Sequence, residues 1–188
     1  MRCLYLILIA LSNLVTARFN PIVLVNGALI IPVGSVFAGA VFVLRDLVQM
    51  KHGKRKTYIM ISLATILSAL TSFLIGDTVH IAISSIMAFF ISELVDTEIF
   101  SRVKRPLPVR VFFSGVVGGC LDSVVFVILG MSPLGANILM WDAVPFAILG
   151  QMLTKAVVQT FALVYLMILK NKRRMSDGRK KNVRKNNN

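Results

Sequence analysis

Long hydrophobic runs alternate with short polar segments along almost the whole chain. A helix that spans a bilayer needs about 20 mostly apolar residues. Six runs come near this length: Cys3–Ala17, Ile22–Leu44, Tyr58–Ile75, Val79–Val95, Val111–Leu129 and Ala143–Leu169. The second run is interrupted by Asn26-Gly27 and Pro32, which predicts either a kinked helix or a short re-entrant piece followed by a helix. The pattern therefore predicts an all-α membrane protein with six transmembrane helices.

The composition excludes a soluble domain. Of the 188 residues, 56% are hydrophobic and only 15% are charged, against roughly 25% charged in an average soluble domain. One soluble core of this size cannot enclose so many apolar side chains, whereas a surface that faces lipid can accept them.

The basic residues predict the orientation, since cytoplasmic loops carry an excess of Lys and Arg. The net charge is +13, and the positive residues cluster after the second run, after the fourth run and in the tail, with almost none on the other side. Both termini are therefore expected in the cytoplasm of a multi-pass protein of the plasma (inner) membrane. Residues 1–170 form the predicted transport domain, and residues 171–188 a disordered basic tail that touches anionic lipid rather than nucleic acid. The residues that carry this signal are Arg45, Lys51, Lys54, Arg55, Lys56, Arg102, Lys104, Arg105, Arg110 and the basic side chains of 170–185.

The first run has a second interpretation. Arg2, the apolar stretch and Val15-Thr16-Ala17 also resemble a signal peptide with a small-residue cleavage site. Cleavage would leave five helices with the same loop orientation, so charge counting does not separate the two alternatives. We expect the helix to be retained.

Four ionisable residues lie within the apolar runs, where together they cost up to ~10 kcal/mol on insertion. Such groups usually face the interior of a bundle and mark a transport pathway or a binding site. Gln151 and Gln159 stand one turn either side of Lys155, which puts the three on one helix stripe. The alternative to a site is a Lys155–carboxylate pair that only clamps two helices. The four residues are Glu93, Asp96, Asp122 and Lys155.

Sequence motifs for other chemistry are absent. No Walker sequence or nucleophile elbow occurs, and we expect neither enzymatic activity nor a cofactor or metal. Gly115 and Gly119 have the spacing that lets helices approach closely. Packing inside the bundle is the main interpretation of that spacing, and a homo-oligomer is the second.

An ordered set of short motifs resembles the VUT family, also called queuosine-precursor transporters, over about residues 10 to 160. The matching segments are Ser12–Phe19, Pro32-Val33-Gly34, Ala38-Gly39, Phe42–Gln49, Gly53, Ile91–Asp96, Asp122-Ser123 and Gly150-Gln151 with Lys155. The resemblance implies a six-helix importer of 7-cyano-7-deazaguanine, similar in fold to the substrate-binding subunits of energy-coupling-factor importers and without its own ATPase.

The resemblance also implies which residues act. The expected substrate-binding residues are Asn13, Glu93, Asp96, Asp122, Gln151 and Lys155, and the expected gate at the cytoplasmic mouth is Arg45, Asp46 and Gln49. Carboxylates can accept from the two donors of a guanine-like edge, Gln or Lys can donate to its acceptors, and Phe89, Phe126 or Phe146 can stack on the ring. The alternatives are a binding subunit of a multi-component vitamin importer and a non-transport membrane protein, either structural or a small enzyme.

Overall fold

The computed structural model describes residues 2–19, 22–24, 29–31, 33–76 and 78–186. In these residues the chain forms six α-helices and one β-hairpin. The elements are α1 (Arg2–Arg18), β1 (Ile22–Leu24), β2 (Leu29–Ile31), α2 (Ser35–His52), α3 (Lys54–Ile75), α4 (Val79–Arg102), α5 (Leu107–Phe126, continued by a π-helical turn over Val127–Met131) and α6 (Val144–Asn186).

The second hydrophobic run is not one helix. Its first part is the antiparallel hairpin, in which Ile22 pairs with Ile31, and α2 begins only at Ser35. Of the two predicted alternatives, a separate piece followed by a helix is the closer one, although the piece is a strand pair. The interruptions at Asn26-Gly27 and Pro32 lie outside the described residues.

Helix α2 lies at the centre of the bundle, where it contacts each of the other five helices. Its position explains how it holds charged residues, because they turn inward among protein groups rather than toward lipid. Gly53 alone separates α2 from α3. Its φ of 81° is readily adopted only by glycine, and it permits the sharp reversal between the two helices.

Four segments are long and apolar enough to cross a membrane: Lys54–Ile75, Val79–Arg102, Leu107–Met131 and Val144–Tyr165. The apolar part of α1, Cys3–Thr16, is shorter, and α2 does not meet the same criterion. Large apolar side chains on α3 point away from the bundle, with Phe73 82% and Leu74 80% exposed. An unburied apolar surface of this kind suits contact with lipid.

Helix α6 continues to Asn186, through the segment for which the sequence predicts a disordered tail. The division of the chain at residue 170 stays a prediction.

Small residues bring the helices close together inside the bundle. A Cβ added at Gly118 on α5 would lie 2.9 Å from Cβ of Asp96 on α4, and one added at Gly39 on α2 would lie 2.8 Å from the carbonyl oxygen of Lys155 on α6. Gly115 lies against the side chain of Gln159. The small-residue spacing on α5 therefore serves packing within the bundle, and the homo-oligomer stays a prediction.

Candidate functional site

Lys155 on α6 is buried and joined to α5. Its ammonium donates to Oδ2 of Asp122 at 2.6 Å, to Oγ of Ser123 at 2.8 Å and to Oε1 of Gln151 at 3.3 Å. Three acceptors satisfy the three donors of the ammonium, which offsets much of the cost of placing the charge inside the bundle. The predicted Lys155–carboxylate pair is thus present.

The three polar residues predicted to share one stripe of α6 have two different kinds of contact. Gln151 and Lys155 lie at the ion pair, whereas the amide of Gln159 donates to the carbonyl oxygen of Val111 at 2.7 Å. Gln159 is therefore a packing residue that fastens α6 to the backbone of α5.

A second buried cluster is centred on Arg45 of α2. Its guanidinium contacts three carboxylates: Asp46 Oδ1 at 3.2 Å, Glu93 Oε2 at 3.6 Å, and Asp96 at still closer range. The hydroxyl of Tyr5 on α1 donates to Glu93 Oε2 at 3.0 Å. None of these five side chains is exposed.

Hydrogen bonds extend the Arg45 cluster to its neighbours. Arg45 donates to Oγ1 of Thr97 at 2.8 Å, and Ser114 on α5 donates to Oδ2 of Asp46 at 3.1 Å. Gln49 donates to the carbonyl oxygen of Thr97 at 3.1 Å and to Oγ of Ser101 at 2.8 Å. The cluster therefore links α1, α2, α4 and α5.

A cavity of about 330 Å³ lies between the helices beside both clusters. Its wall is mostly apolar and includes the aromatic rings of Phe19, Phe42, Phe89 and Phe126. Among the described residues, two buried polar atoms on this wall have no hydrogen-bond partner: Oε1 of Glu93, an acceptor, and Nε2 of Gln151, a donor. A buried polar group without a partner costs about 1–3 kcal/mol, so these atoms are positioned to bind a polar guest.

Five of the six residues expected to bind substrate line this one cavity: Asn13, Glu93, Asp122, Gln151 and Lys155. They come from α1, α4, α5 and α6, and only the tertiary structure brings them together. Asn13 is held by α3, because its amide nitrogen donates to Ser68 Oγ at 2.9 Å and Thr71 Oγ1 at 2.8 Å. Asp96 instead points to Arg45 and is not part of the described cavity wall.

The residues expected to form a gate are placed differently from the expectation. Arg45 and Asp46 are 0% exposed and Gln49 is 6% exposed, so the assignment of Arg45 to the loop after the second segment was wrong, while the gate at the cytoplasmic mouth stays a prediction. The hydrophobic run ends at Leu44, but the helix continues to His52 and turns Arg45, Asp46 and Gln49 inward.

Sequence reasoning missed Tyr5, Ser114 and Ser123, each of which hydrogen-bonds to one of the buried charges. Isolated hydroxyl residues in apolar helices carry little signal on their own, since many bond only to their own helix. Of the three candidate stacking residues, Phe89 and Phe126 line the cavity, whereas Phe146 is 46% exposed and does not.

Comparison with known protein families places the chain in one of them. Residues 72–169 match the model of a family described as "Putative vitamin uptake transporter". The chain belongs to this family. No curated protein and no solved structure is detectably similar to it. The match extends from the end of α3 into α6 and includes Glu93, Asp122, Gln151 and Lys155.

Membership of this uptake family establishes the general class of the protein. It is a multi-pass membrane protein of a transporter family, whose members take a small molecule as substrate, and the family indicates transport rather than catalysis. The resemblance to the VUT family is confirmed at this level. Among the described residues, no group of three His, Cys, Asp or Glu side chains could hold a metal ion.

Proposed function

We propose that this chain imports a small purine-like base across the plasma (inner) membrane, and that the base is the queuosine precursor 7-cyano-7-deazaguanine. The general support is membership of a small-molecule uptake family together with a preformed cavity among the apolar helices. The specific support is the chemistry of the cavity wall.

The cavity suits a small flat ring. Its volume of about 330 Å³ is at the lower end of the ~300–1,000 Å³ that is usual for ligand pockets. Most of its wall is apolar, with Phe42, Phe89 and Phe126 available for stacking on an aromatic base. The cavity is too small for a large substrate, and its polar side chains, Asn13, Asp122 and Gln151 among them, lie between apolar surfaces as a flat polar ring requires.

The observation that carries the proposal is the pairing of Asp122 with Lys155 on the cavity wall. Lys155 donates to Oδ2 of Asp122. The Asp122 side chain remains 18% exposed, which leaves part of it open to a ligand. A guanine-type edge presents two adjacent donors, and a carboxylate accepts both. The unpartnered amide nitrogen of Gln151 can donate to the ring carbonyl or the nitrile. Of the two carboxylates on the wall, Asp122 is therefore the one we assign to the base.

We also infer six membrane spans with both termini in the cytoplasm. Four spans satisfy the length and hydropathy criterion, and α1 and α2 supply the other two. The charges of α2 do not oppose this, because Arg45 and Asp46 are enclosed by protein. The basic residues at the junction of α2 and α3, and those after α4, then face the cytoplasm. Similarity to the binding subunits of energy-coupling-factor importers remains a prediction of the same kind.

Uptake by the chain alone tests the proposal. Purified protein in liposomes, and cells that can neither make nor import the base, should both take up labelled 7-cyano-7-deazaguanine once the chain is present. Unlabelled guanine-type bases should compete, and adenine should not, because its edge places an acceptor where guanine has a donor. Equal competition by adenine would contradict the edge assignment. Uptake that requires a co-purified ATPase would favour the binding-subunit alternative.

A further inference from the structure

We propose that Glu93 is a proton-binding site, and that one proton enters with each substrate molecule as the energy source for import. The proposal rests on the proposed transport function and concerns Glu93, which lines the same cavity as Asp122 but is not the carboxylate assigned to the base edge. Its basis is an imbalance of buried charge beside the cavity.

The imbalance lies around Arg45. One guanidinium contacts three carboxylates, those of Asp46, Glu93 and Asp96. Arg110 donates to the carbonyl oxygen of Phe100 and attracts Asp46 only from longer range. With every carboxylate ionised, the contacting groups sum to a formal charge of two negative units. Excess buried charge of one sign is costly, and carboxylates that share a site usually respond by retaining a proton.

Glu93 is the carboxylate that is best placed to hold the proton. Its Oε2 lies 3.6 Å from the guanidinium, whereas Oδ1 of Asp46 lies at 3.2 Å and Asp96 also contacts Arg45. Asp46 also accepts from Ser114. Each of the three carboxylates has an oxygen without a hydrogen-bond partner among the described residues, but only Glu93 also lines the described cavity, from which a proton can reach it.

The charged and titratable groups that face Glu93 come from four helices. Tyr5 of α1 donates to it, Arg45 and Asp46 of α2 lie beside it, Asp96 follows one turn later on α4, and Asp122 of α5 acts on it through space. From α3, Lys54 contacts Glu98 rather than Glu93. Lys155 already neutralises Asp122. Arg45 and the Tyr5 hydroxyl stabilise the carboxylate of Glu93, whereas the two acidic neighbours that share Arg45 oppose its ionisation.

The same geometry favours a proton over a metal cation. No set of three His, Cys, Asp or Glu side chains in the described part of the chain is arranged to hold a metal ion. The guanidinium of Arg45 occupies the centre of the carboxylates, where it repels a second cation. A proton needs only one oxygen and no coordination shell.

Glu93 couples the cavity to the Arg45 cluster because it belongs to both. It lines the cavity that contains Asp122 and Gln151, and it contacts the Arg45 cluster. Proton binding converts carboxylate plus H⁺ to carboxylic acid, which gives Glu93, a cavity-lining side chain that otherwise only accepts, a hydrogen-bond donor. Substrate bonds at the wall then depend on whether the proton is present, which is the linkage that co-transport requires.

Transport in liposomes of the full chain tests the coupling. With the membrane potential clamped at zero, an acid exterior one pH unit below the interior should drive up to about tenfold accumulation for one proton per neutral substrate. A protonophore should abolish the accumulation. The variant Glu93→Gln, which resembles the protonated form, should lose the accumulation but still exchange internal for external base. Glu98→Gln, on the same helix but partly exposed, should behave as wild type.

Substrate accumulation that ignores both the pH gradient and the protonophore would overturn the proton proposal and leave the import function intact. Absence of both uptake and exchange would instead count against the import function. Infrared spectroscopy supplies a readout that needs no substrate. Wild-type protein and Glu98→Gln should show the carbonyl stretch of a buried carboxylic acid near neutral pH, and Glu93→Gln should lack it. An ionised Glu93 throughout the titration would refute the proposal.

Discussion

The ammonium of Lys155 on α6 lies 2.6 Å from Oδ2 of Asp122 on α5, and both residues line the cavity. One pair therefore joins two helices and faces the space for a guest. A clamp and a binding site make the same contact, but they respond differently when the two charges are removed separately or together.

We expect Asp122→Asn and Lys155→Met each to abolish uptake. Each should also lower the free energy of unfolding by about 3–5 kcal/mol, because one leaves the buried ammonium unpaired and the other the carboxylate. The double variant should recover much of the stability, because no uncompensated charge remains, yet it should not transport. Thermal unfolding in detergent and labelled-base uptake measure the two effects.

The exposed loop residue Asp142 provides the control, since Asp142→Asn should change neither quantity. Normal transport by the double variant would mean that the pair is only a clamp.

Gln151 and Gln159 lie two turns apart on α6 and are predicted to fail in different ways. Gln151→Leu removes the unpartnered donor on the cavity wall, and it should weaken substrate affinity about tenfold, which corresponds to one hydrogen bond of ~1.4 kcal/mol. Gln159→Leu removes the bond to the carbonyl of Val111 and should lower stability by ~1 kcal/mol with affinity unchanged. Equilibrium binding and thermal unfolding distinguish them, and identical behaviour of the two variants would be evidence against this division.

Arg45 should be required for folding rather than only for gating. Arg45→Met leaves three carboxylates around an apolar side chain, and we expect a loss of ~3–5 kcal/mol or failure to accumulate in the membrane. Arg102→Met removes an 82% exposed partner of Glu98 and should cost less than ~1 kcal/mol. Membrane yield and unfolding temperature provide the measurement. A stable Arg45→Met protein would show that the carboxylates are already neutral.

Neighbouring glycines on α5 should differ in their tolerance of alanine. The new Cβ of Gly118→Ala would lie 2.9 Å from Cβ of Asp96, whereas that of Gly119→Ala would meet its nearest neighbour, the ring of Phe42, at 3.7 Å. Forcing α4 and α5 apart should cost ~1–3 kcal/mol at Gly118, and Gly119→Ala should be close to neutral. Unfolding curves of the two variants make the comparison, and equal stability would argue that α4 and α5 do not pack this closely.

The accuracy of the sequence-based predictions followed the strength of the local signal. Helices α3 to α6 were predicted because each follows an unbroken apolar run of spanning length. The internal position of Glu93, Asp122 and Lys155 was predicted because each lies within such a run. The hairpin was missed because two short strands inside a long apolar run have too few residues to show a period of two. Arg45 was misplaced because two charged residues, Arg45 and Asp46, directly follow Leu44, as they do where a helix passes into a cytoplasmic loop.

The amino-acid sequence by itself determined that this is a membrane protein and which residue types lie among its apolar segments, because the length and apolar character of a spanning segment can be read along the chain. Only the tertiary structure decided the partners. The packing of α4, α5 and α6 set Lys155 against Asp122. The central position of α2 set Arg45 against three carboxylates, and one of them, Glu93, also lines the cavity. Contacts between residues far apart in the chain depend on helix rotation and crossing, which hydrophobic periodicity does not specify.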